Sequence, residues 1–206
     1  MNSAESPRLR TGRMDPALRK GLILDKTAAL IAREGVSAVS MERVGREAGV
    51  SKALIYIHFP NRTTLLQELL LREQRRLLEM QAAAINGASS LEELIRQTTG
   101  AYLRHVEEDG LYIQRLMNEP SVAVAFRELD RKDRRRAVEF LAKEIGGSLN
   151  LPPRIAALAT ELSMGMTGAA GELVSSGAAS REKVEEVLLC LFRGSIASLR
   201  EQYGRS

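Results

Sequence analysis

Apolar residues recur every three to four positions through most of this sequence, and no stretch alternates with the period of two that is typical of a β-strand. Glycine, proline, asparagine and serine interrupt the pattern at intervals, and two of the predicted breaks are Asp109-Gly110 and Gly146-Gly147. The sequence therefore predicts an all-α fold. The predicted helices cover residues 16–34, 41–48, 52–58, 62–85, 91–108, 111–118, 121–145, 153–175 and 181–203.

Several of these helices begin at a residue that can cap the first turn. Asp15, Ser40, Ser51 and Ser90 are each placed to accept a hydrogen bond from a backbone N–H group. Glu93 follows Ser90 by three residues, which is the spacing of a capping box. These residues indicate where the helices start.

The charge is distributed unevenly along the chain. Residues 1–62 hold 11 Lys and Arg against 6 Asp and Glu, whereas residues 63–206 hold 19 against 20. The net charges are therefore +5 and −1, which together give the +4 of the whole chain. A basic first third favours a nucleic-acid-binding domain, although chance variation in surface charge would also produce it.

The composition is that of a globular protein, with 27% charged and 44% hydrophobic residues. The N-terminal residues contain no apolar core of a signal peptide, and no apolar run approaches the ~20 residues of a membrane span. We therefore expect a cytoplasmic protein without a membrane partner. Cys190 is the single cysteine and lies in an apolar helical run, so we expect it to be a buried small hydrophobe.

The segment from Met41 to Phe59 has the layout of a helix-turn-helix. Gly49 suits the left-handed backbone of the tight turn between its two short helices. Apolar side chains at helical spacing are expected to face inward and fix the angle between the helices. These residues are Val44, Ala48, Val50, Ile55 and Phe59.

A second helix of this kind lies in the major groove of DNA, where its first residues meet base edges. Lys52 could donate to guanine or to a phosphate, whereas Ala53 and Leu54 could only pack, for instance on thymine methyl groups. Tyr56, His58 and Arg62 offer donors toward flanking phosphates. The predicted DNA-binding residues are Ser40, Ser51, Lys52, Ala53, Leu54, Tyr56, His58 and Arg62.

Five short stretches follow one another in a specific order and spacing. They are Ile23-Leu24-Asp25, Glu34-Gly35, Ser40-Met41-Glu42-Arg43-Val44, Ala48-Gly49-Val50-Ser51-Lys52 and Tyr56-Ile57-His58-Phe59-Pro60-Asn61-Arg62. In this order they resemble the DNA-binding domain of the tetracycline-repressor (TetR) family of bacterial regulators, over residues 17–66. Ile57 departs from the family pattern, in which an aromatic or polar residue is frequent at this position.

The resemblance implies a three-helix DNA-binding domain at 16–62 and a larger helical domain at 63–206 that binds a ligand and forms a homodimer. Residues 1–15 would be a flexible basic arm, with Arg8, Arg10 and Arg13 either on DNA or in a disordered tail. A member of this family is expected to bind an inverted-repeat operator, usually as a repressor, and to be released by a small molecule.

Two apolar stripes near the C-terminus support the dimer. They run from Leu158 to Leu173 and from Val184 to Leu199, and two such helices could pair with their two-fold copies as a four-helix bundle. Glycines at 165, 168 and 171 indicate close helix approach or space for a ligand. The predicted ligand-binding residues are Tyr102, His105, Tyr112, Met117, Phe126, Met164 and Met166, although such side chains are more often core.

An enzyme is the competing class, and the sequence offers little for it. It has two histidines and one cysteine, and it contains no nucleophile elbow, zinc-ligand spacing or phosphate-binding loop. We therefore expect no catalytic residues, no cofactor and no metal site. A helical adaptor that binds only protein is a third class, but it would not need the cluster of Lys52, Tyr56, His58 and Arg62.

Overall fold

The computed structural model of the protein describes residues 15–204, apart from the side chains of residues 125–130. Over this range the chain forms eight α-helices and one 3-10 turn and contains no strand, which confirms the predicted all-α fold. No helix among the described residues is long and apolar enough to cross a membrane. The elements are α1 (Pro16–Glu34), the 3-10 turn (Val36–Ala38), α2 (Met41–Glu47), α3 (Lys52–His58), α4 (Arg62–Asn86), α5 (Leu91–Met117), α6 (Pro120–Leu149), α7 (Pro153–Ser175) and α8 (Arg181–Tyr203).

The chain divides into two compact units, of which the first ends at Leu65 and the second begins at Leu66. In the first unit, α1 begins at Asp15, whose carboxylate accepts from the N–H of Ala17 at 2.7 Å. One face of α1 is buried against the short helices that follow, because its apolar residues repeat at helical spacing. The fully buried side chains of this unit include Ile23, Leu30, Ile31, Val44, Ile55, Phe59 and Leu65.

The second unit is a bundle in which α5, α7 and α8 share one core cluster. Its buried members are Leu103, Ala170, Val174, Val184, Leu188 and Phe192. A smaller cluster of Leu149, Leu151 and Ala156 lies where α6 ends and α7 begins. Burial of these aliphatic side chains, at ~25 cal/mol per Å² of apolar surface removed from water, is the main force that holds the bundle together.

Gly110 does not interrupt a helix, so the predicted break at Asp109-Gly110 is wrong. Helix α5 continues from Leu91 to Met117. Gly110 is buried, and a Cβ at this position would lie 3.1 Å from Cβ of Ser175 and 3.1 Å from Cγ1 of Val106. The glycine therefore permits close approach of α7, at the cost of about 1 kcal/mol in helix propensity.

The predicted end of a helix at Gly146-Gly147 is also wrong. Helix α6 runs on to Leu149 and ends at Asn150, which adopts the left-handed conformation with φ 52°. A Cβ on Gly146 would lie 3.2 Å from Cβ of Ala156. Here too the glycine serves packing, and asparagine supplies the left-handed cap.

Two smaller expectations also change. Ser90 caps α5 by accepting from the N–H of Glu93 at 3.2 Å, but the Glu93 carboxylate accepts from the N–H of Ser89 at 3.0 Å rather than from that of Ser90. Cys190 is exposed rather than buried. It lies on the side of α8 opposite to the core residues Leu188 and Phe192, which the helical period could have indicated.

Candidate nucleic-acid interface

Residues 41–58 fold as the predicted pair of short helices joined by a tight turn. The hydroxyl of Ser40 accepts from the N–H of Arg43 at 3.2 Å, and the hydroxyl of Ser51 accepts from the N–H of Leu54 at 3.2 Å. Gly49 has φ +65°, as the turn requires. The N–H of Val50 donates to the carbonyl of Gly45 at 2.9 Å and closes the turn.

The angle between α2 and α3 is fixed by buried side chains on their inner faces. Val44, Ile55 and Phe59 are fully buried, and Ala48 is nearly so. The ammonium of Lys20 lies 5.7 Å from the centre of the Phe59 ring, within the range of a cation–π contact. The four inward-facing positions are thus confirmed, and Val50 is half-buried.

The outer face of α3 is formed by Lys52, Ala53, Tyr56 and Ile57. Tyr56 is 44% exposed and Ile57 is 76% exposed. These positions lie on one side of the helix because they are separated by three and four residues. Ile57 was not among the predicted contacts, although its spacing from Ala53 could have placed it there.

The other predicted DNA-binding residues lie around this face rather than on it. Leu54 and His58 are half-buried, so less of each side chain is available to a partner. Ser40 and Ser51 are exposed at the first turns of α2 and α3. Each serine hydroxyl accepts a capping bond and still has its own hydrogen to donate, which suits a phosphate oxygen.

Arg62 holds the polypeptide backbone of its own domain. Its Nε donates to the carbonyl of Val39 at 2.9 Å and one of its terminal nitrogens donates to the carbonyl of Val36 at 2.9 Å. This arginine therefore joins the start of α4 to the 3-10 turn and the residue after it. Its predicted phosphate contact stays a prediction, because these bonds already occupy two donors of the guanidinium.

Two more arginines of the basic first third are paired inside the domain. Glu34 accepts from Arg43 at 2.6 Å and from Arg33 at 2.9 Å, and Arg33 also donates to Glu47 at 3.0 Å. Hydrogen bonds from Arg33 and then Arg43 hold the pKa of the Glu34 carboxyl below its usual range. Arg46, in contrast, is exposed in the last turn of α2 and has no ion pair among the described residues.

The second unit contains a cavity of about 390 Å³ lined by residues of α4, α5, α6 and α7. Three of the predicted ligand-binding residues line it, namely Tyr102, His105 and Met164. The apolar part of the lining includes Leu70, Leu77, Leu78, Ile113, Phe140 and Leu141. Pockets that bind small molecules have volumes of roughly 300–1,000 Å³ and a lining of this kind.

The remaining predicted ligand-binding residues lie elsewhere. Tyr112 is buried near Glu73, and burial raises the pKa of its hydroxyl far above the usual range. Met166 packs against the core of α5, α7 and α8, and Met117 is half-buried near the end of α5. None of the three is in the described lining, and the side chain of Phe126 lies outside the described residues.

Charged groups surround one part of the cavity lining. The carboxylate of Glu73 is 2% exposed, and its Oε1 accepts from Nε of Arg72 at 2.8 Å. Arg76 lies 3.8 Å from Oε2 of Glu73 and donates to Asp109 at 2.7 Å. Burial lowers the pKa of His105 and raises that of the Asp109 carboxyl, since burial disfavours the charged form of each.

Residues 23–69 match the sequence model of the bacterial regulatory proteins of the tetR family. This segment contains the whole helix-turn-helix. Over these residues the chain is similar to the TetR family. The match is to bacterial regulatory proteins, which is the class that the sequence predicts. No curated protein sequence matches the chain.

Solved structures share the fold of this chain over most of its length. A TetR-like transcriptional regulator from Rhodococcus sp. RHA1 has a TM-score of 0.69 and 22% identity, covering 88% of this chain and 98% of that protein. A transcriptional-regulator candidate from Pseudomonas aeruginosa PAO1 has a TM-score of 0.78 and 16% identity, covering 95% and 98%. Another, from Saccharomonospora viridis and solved in complex with choline, has a TM-score of 0.64 and 19% identity, covering 84% and 94%.

Large apolar side chains on α7 and α8 are exposed. On α7, Leu158, Leu162 and Leu173 are 53%, 71% and 48% exposed. On α8, Val187 and Leu191 are 51% and 52% exposed. The residues of the two predicted apolar stripes are thus divided between the surface and the core, since Val184, Leu188 and Phe192 are buried within the chain itself. We call the exposed residues Leu158, Leu162, Leu173, Val187 and Leu191 the α7–α8 face.

Proposed function

We propose that this protein is a homodimeric transcriptional repressor that binds an inverted-repeat operator and is released from it by a small molecule. The observation that carries the proposal is the outer face of α3, which offers a cation, a phenol and two apolar groups at the start of a firmly capped helix. These are the chemical groups that read base edges and thymine methyl groups in a major groove. A cytoplasmic location follows from this function.

In this proposal, the residues of the α3 face have separate tasks. Lys52 donates to guanine or to a nearby phosphate, and Ala53 and Ile57 pack on thymine methyl groups. Tyr56 donates from its hydroxyl toward the edge of the groove. Phosphates on either side are bound by the hydroxyls of Ser40 and Ser51, by His58 and by the exposed guanidinium of Arg46. Leu54 is half-buried, and the exposed part of its side chain packs on a thymine methyl group.

The α7–α8 face is proposed to cover its own copy in a second chain. Its five members are large aliphatic side chains that are each about half exposed or more. Several large aliphatic side chains exposed on two successive helices are typical of a surface that is buried in an assembly. Two helices per chain would form a four-helix bundle and bury more than ~2,000 Å² in total, as stable homodimers do.

The cavity in the second unit is proposed to hold the effector. Its volume and its mainly apolar lining suit a small amphipathic molecule, and the Saccharomonospora viridis structure with choline shows that one protein of this fold binds a small molecule. Gly168 lines the cavity and has open space around the position of a Cβ, whereas Gly171 lies against Tyr102. Effector binding would have to favour one state of the protein, with a coupling to DNA of ~1–3 kcal/mol.

The experiment that tests this function is selection of bound duplexes from random DNA, followed by sequencing and by light scattering of the complex. We expect an enriched inverted repeat with half-sites about one helical turn apart, or a small multiple of it, and two chains or a multiple of two per duplex. Enrichment of no sequence, or of a site without two-fold symmetry, would contradict the proposal. The operator found in this way is then the probe for effector screening.

A further inference from the structure

Three buried polar atoms of residues in the cavity lining have no hydrogen-bond partner among the described residues. They are Oε2 of Glu73, Oε1 of Gln74 and Nδ1 of His105. Glu73 and His105 are 2% and 4% exposed. Buried polar groups are nearly always hydrogen-bonded in native proteins, so three such atoms in the lining of one cavity point to a ligand that bonds to them.

All three atoms are acceptors or can act as acceptors. The amide nitrogen of Gln74 donates to Oδ2 of Asp133 at 2.6 Å, which fixes the amide orientation and leaves its oxygen toward the unpartnered side. Burial lowers the pKa of His105, so the ring is neutral near neutral pH. Its Nδ1 lies 3.8 Å from Oδ2 of Asp109, beyond a hydrogen bond, and accepts when the proton is on Nε2. A ligand that satisfies the Glu73 and Gln74 oxygens must therefore donate hydrogen bonds.

The charges of the lining favour a cation over an anion. Glu73 and Asp133 are acidic lining residues, and the basic lining residue Arg134 donates to Glu161 at 3.2 Å. Arg72 and Arg76 flank Glu73, but Arg76 is shared with Asp109 at 2.7 Å. An anionic head would be placed beside two carboxylates in surroundings of low dielectric, which costs free energy.

We propose that the effector is an amphiphile whose head is a protonated amine with N–H donors, bound by Glu73, Gln74 and His105, and whose tail lies among the leucines and Phe140. This inference rests on the proposed function, in which the cavity holds the effector. A primary or secondary ammonium fits the three acceptors because it offers several directed donors and a positive charge. A quaternary ammonium has the positive charge but no N–H donor, and a fatty carboxylate has neither a positive charge nor a donor.

The test uses the full-length protein and four probes with the same tail: octylamine, octyltrimethylammonium, octanol and octanoate. Binding is measured by calorimetry near neutral pH, where the amine is protonated and the acid is ionised. We expect octylamine to bind at least about tenfold more tightly than octanol and octanoate, since a charge-assisted hydrogen bond contributes a factor of ten or more. Octyltrimethylammonium is expected between octylamine and octanoate. Equal or tighter binding of octanoate, or no binding of octylamine, would overturn the inference.

Two variants locate the head of the ligand. Glu73→Gln keeps the shape of the side chain and removes its charge. Glu186→Gln is the matched control, because this exposed carboxylate and its ion-pair partner Lys183 both lie outside the described lining. The ratio of octylamine to octanol affinity should fall at least about tenfold in the first variant and stay unchanged in the second. Octanol reports whether the cavity is intact, so a folding defect is recognised. Should Glu73→Gln fail to fold, Gln74→Met is measured in the same way, and an unchanged ratio in the folded variant would overturn the inference.

Operator binding separates this inference from the proposed function. If octylamine binds with the expected dependence on Glu73 but leaves operator affinity unchanged, the ligand class stands and release by that ligand fails. If instead screening finds an anionic or neutral effector that releases the operator while octylamine does not bind, the function stands and the ligand class is wrong. Both results are read from the same protein and the same duplex.

Discussion

Replacement of Arg62 by alanine should destabilise the DNA-binding unit rather than only weaken its contact with DNA. The side chain donates to the carbonyls of Val39 and Val36, each at 2.9 Å, and is half-buried. A hydrogen bond from a charged donor contributes ~1.5–3 kcal/mol when it is buried. Partial exposure lowers this to about 1 kcal/mol for each bond, so Arg62→Ala should cost about 2 kcal/mol.

Hydrogen exchange monitored by mass spectrometry measures this cost within one unit of the protein. A loss of 2 kcal/mol raises the population of the open state by a factor of roughly 30. Peptides from α1, α2 and α3 should therefore exchange about that much faster in Arg62→Ala, whereas peptides from α7 and α8 should be unchanged. The exchange rate of Arg62→Lys should lie between those of the wild-type protein and Arg62→Ala, because one ammonium cannot reproduce the planar fork of the guanidinium.

Arg46→Ala is the matched control, since Arg46 is an exposed arginine of the same unit. Its exchange should equal that of the wild-type protein, while its salt dependence of DNA binding should be weaker. Arg62 does not have this structural role if Arg62→Ala exchanges at the wild-type rate and the slope of log K for DNA binding against log salt becomes shallower by ~0.9 per half-site. Arg62 would then be a phosphate contact.

Four further results are expected. Lys52→Ala should cost ~1–3 kcal/mol per half-site on the operator and much less on random DNA, and an equal loss on both would make Lys52 a phosphate contact. Replacement of operator thymine by uracil removes the methyl group and should weaken binding of the wild-type protein but not of Ile57→Ala. If Ile57→Ala is still weakened by uracil, Ile57 does not contact the methyl group. Leu162→Glu should give a monomer in light scattering, while Leu18→Glu, at a similarly exposed leucine, should stay a dimer. A dimer in both variants would show that the α7–α8 face is not the dimer interface. The unfolding free energy should fall as the pH is lowered from about 7.5 to 5.5, because the pKa of His105 is lower in the folded protein than the 6.5 of the unfolded chain, so the unfolded chain binds a proton first. His105→Gln should reduce this dependence of stability on pH, and an unchanged dependence would contradict the assignment to His105.

Helix positions could be predicted from the sequence wherever a local interaction decides them. The caps at Ser40 and Ser51 form as predicted because each bond joins atoms three residues apart. Breaks assigned to glycine were less predictable, because glycine both ends helices and permits close packing. At Gly110 and Gly146 the deciding contact is with Ser175 or Ala156 on another helix, and the local sequence carries no information about it.

The two candidate sites differ in the same way. The α3 face belongs to one helix, so its period of 3.6 residues places Lys52 and Tyr56 on one side without knowledge of the rest of the fold. The cavity lining is drawn from four helices, and its membership depends on how they pack. Met164 lines the cavity while Met166 packs in the core, although both are methionines of α7 that are two residues apart.

Exposure of a large aliphatic side chain does not by itself mark a binding surface. Leu18 and Val124 are 68% and 65% exposed, and single exposed aliphatics are ordinary in folded proteins. Ile57 differs because it shares a helix face with a cation and a phenol. Leu162 differs because two further leucines of α7 and two aliphatic residues of α8 are exposed as well. Covering such side chains favours association by ~25 cal/mol for each Å² of apolar surface. The proposed dimer thus removes these exposed side chains from water, and a two-fold dimer carries two copies of the α3 face, as an inverted-repeat operator requires.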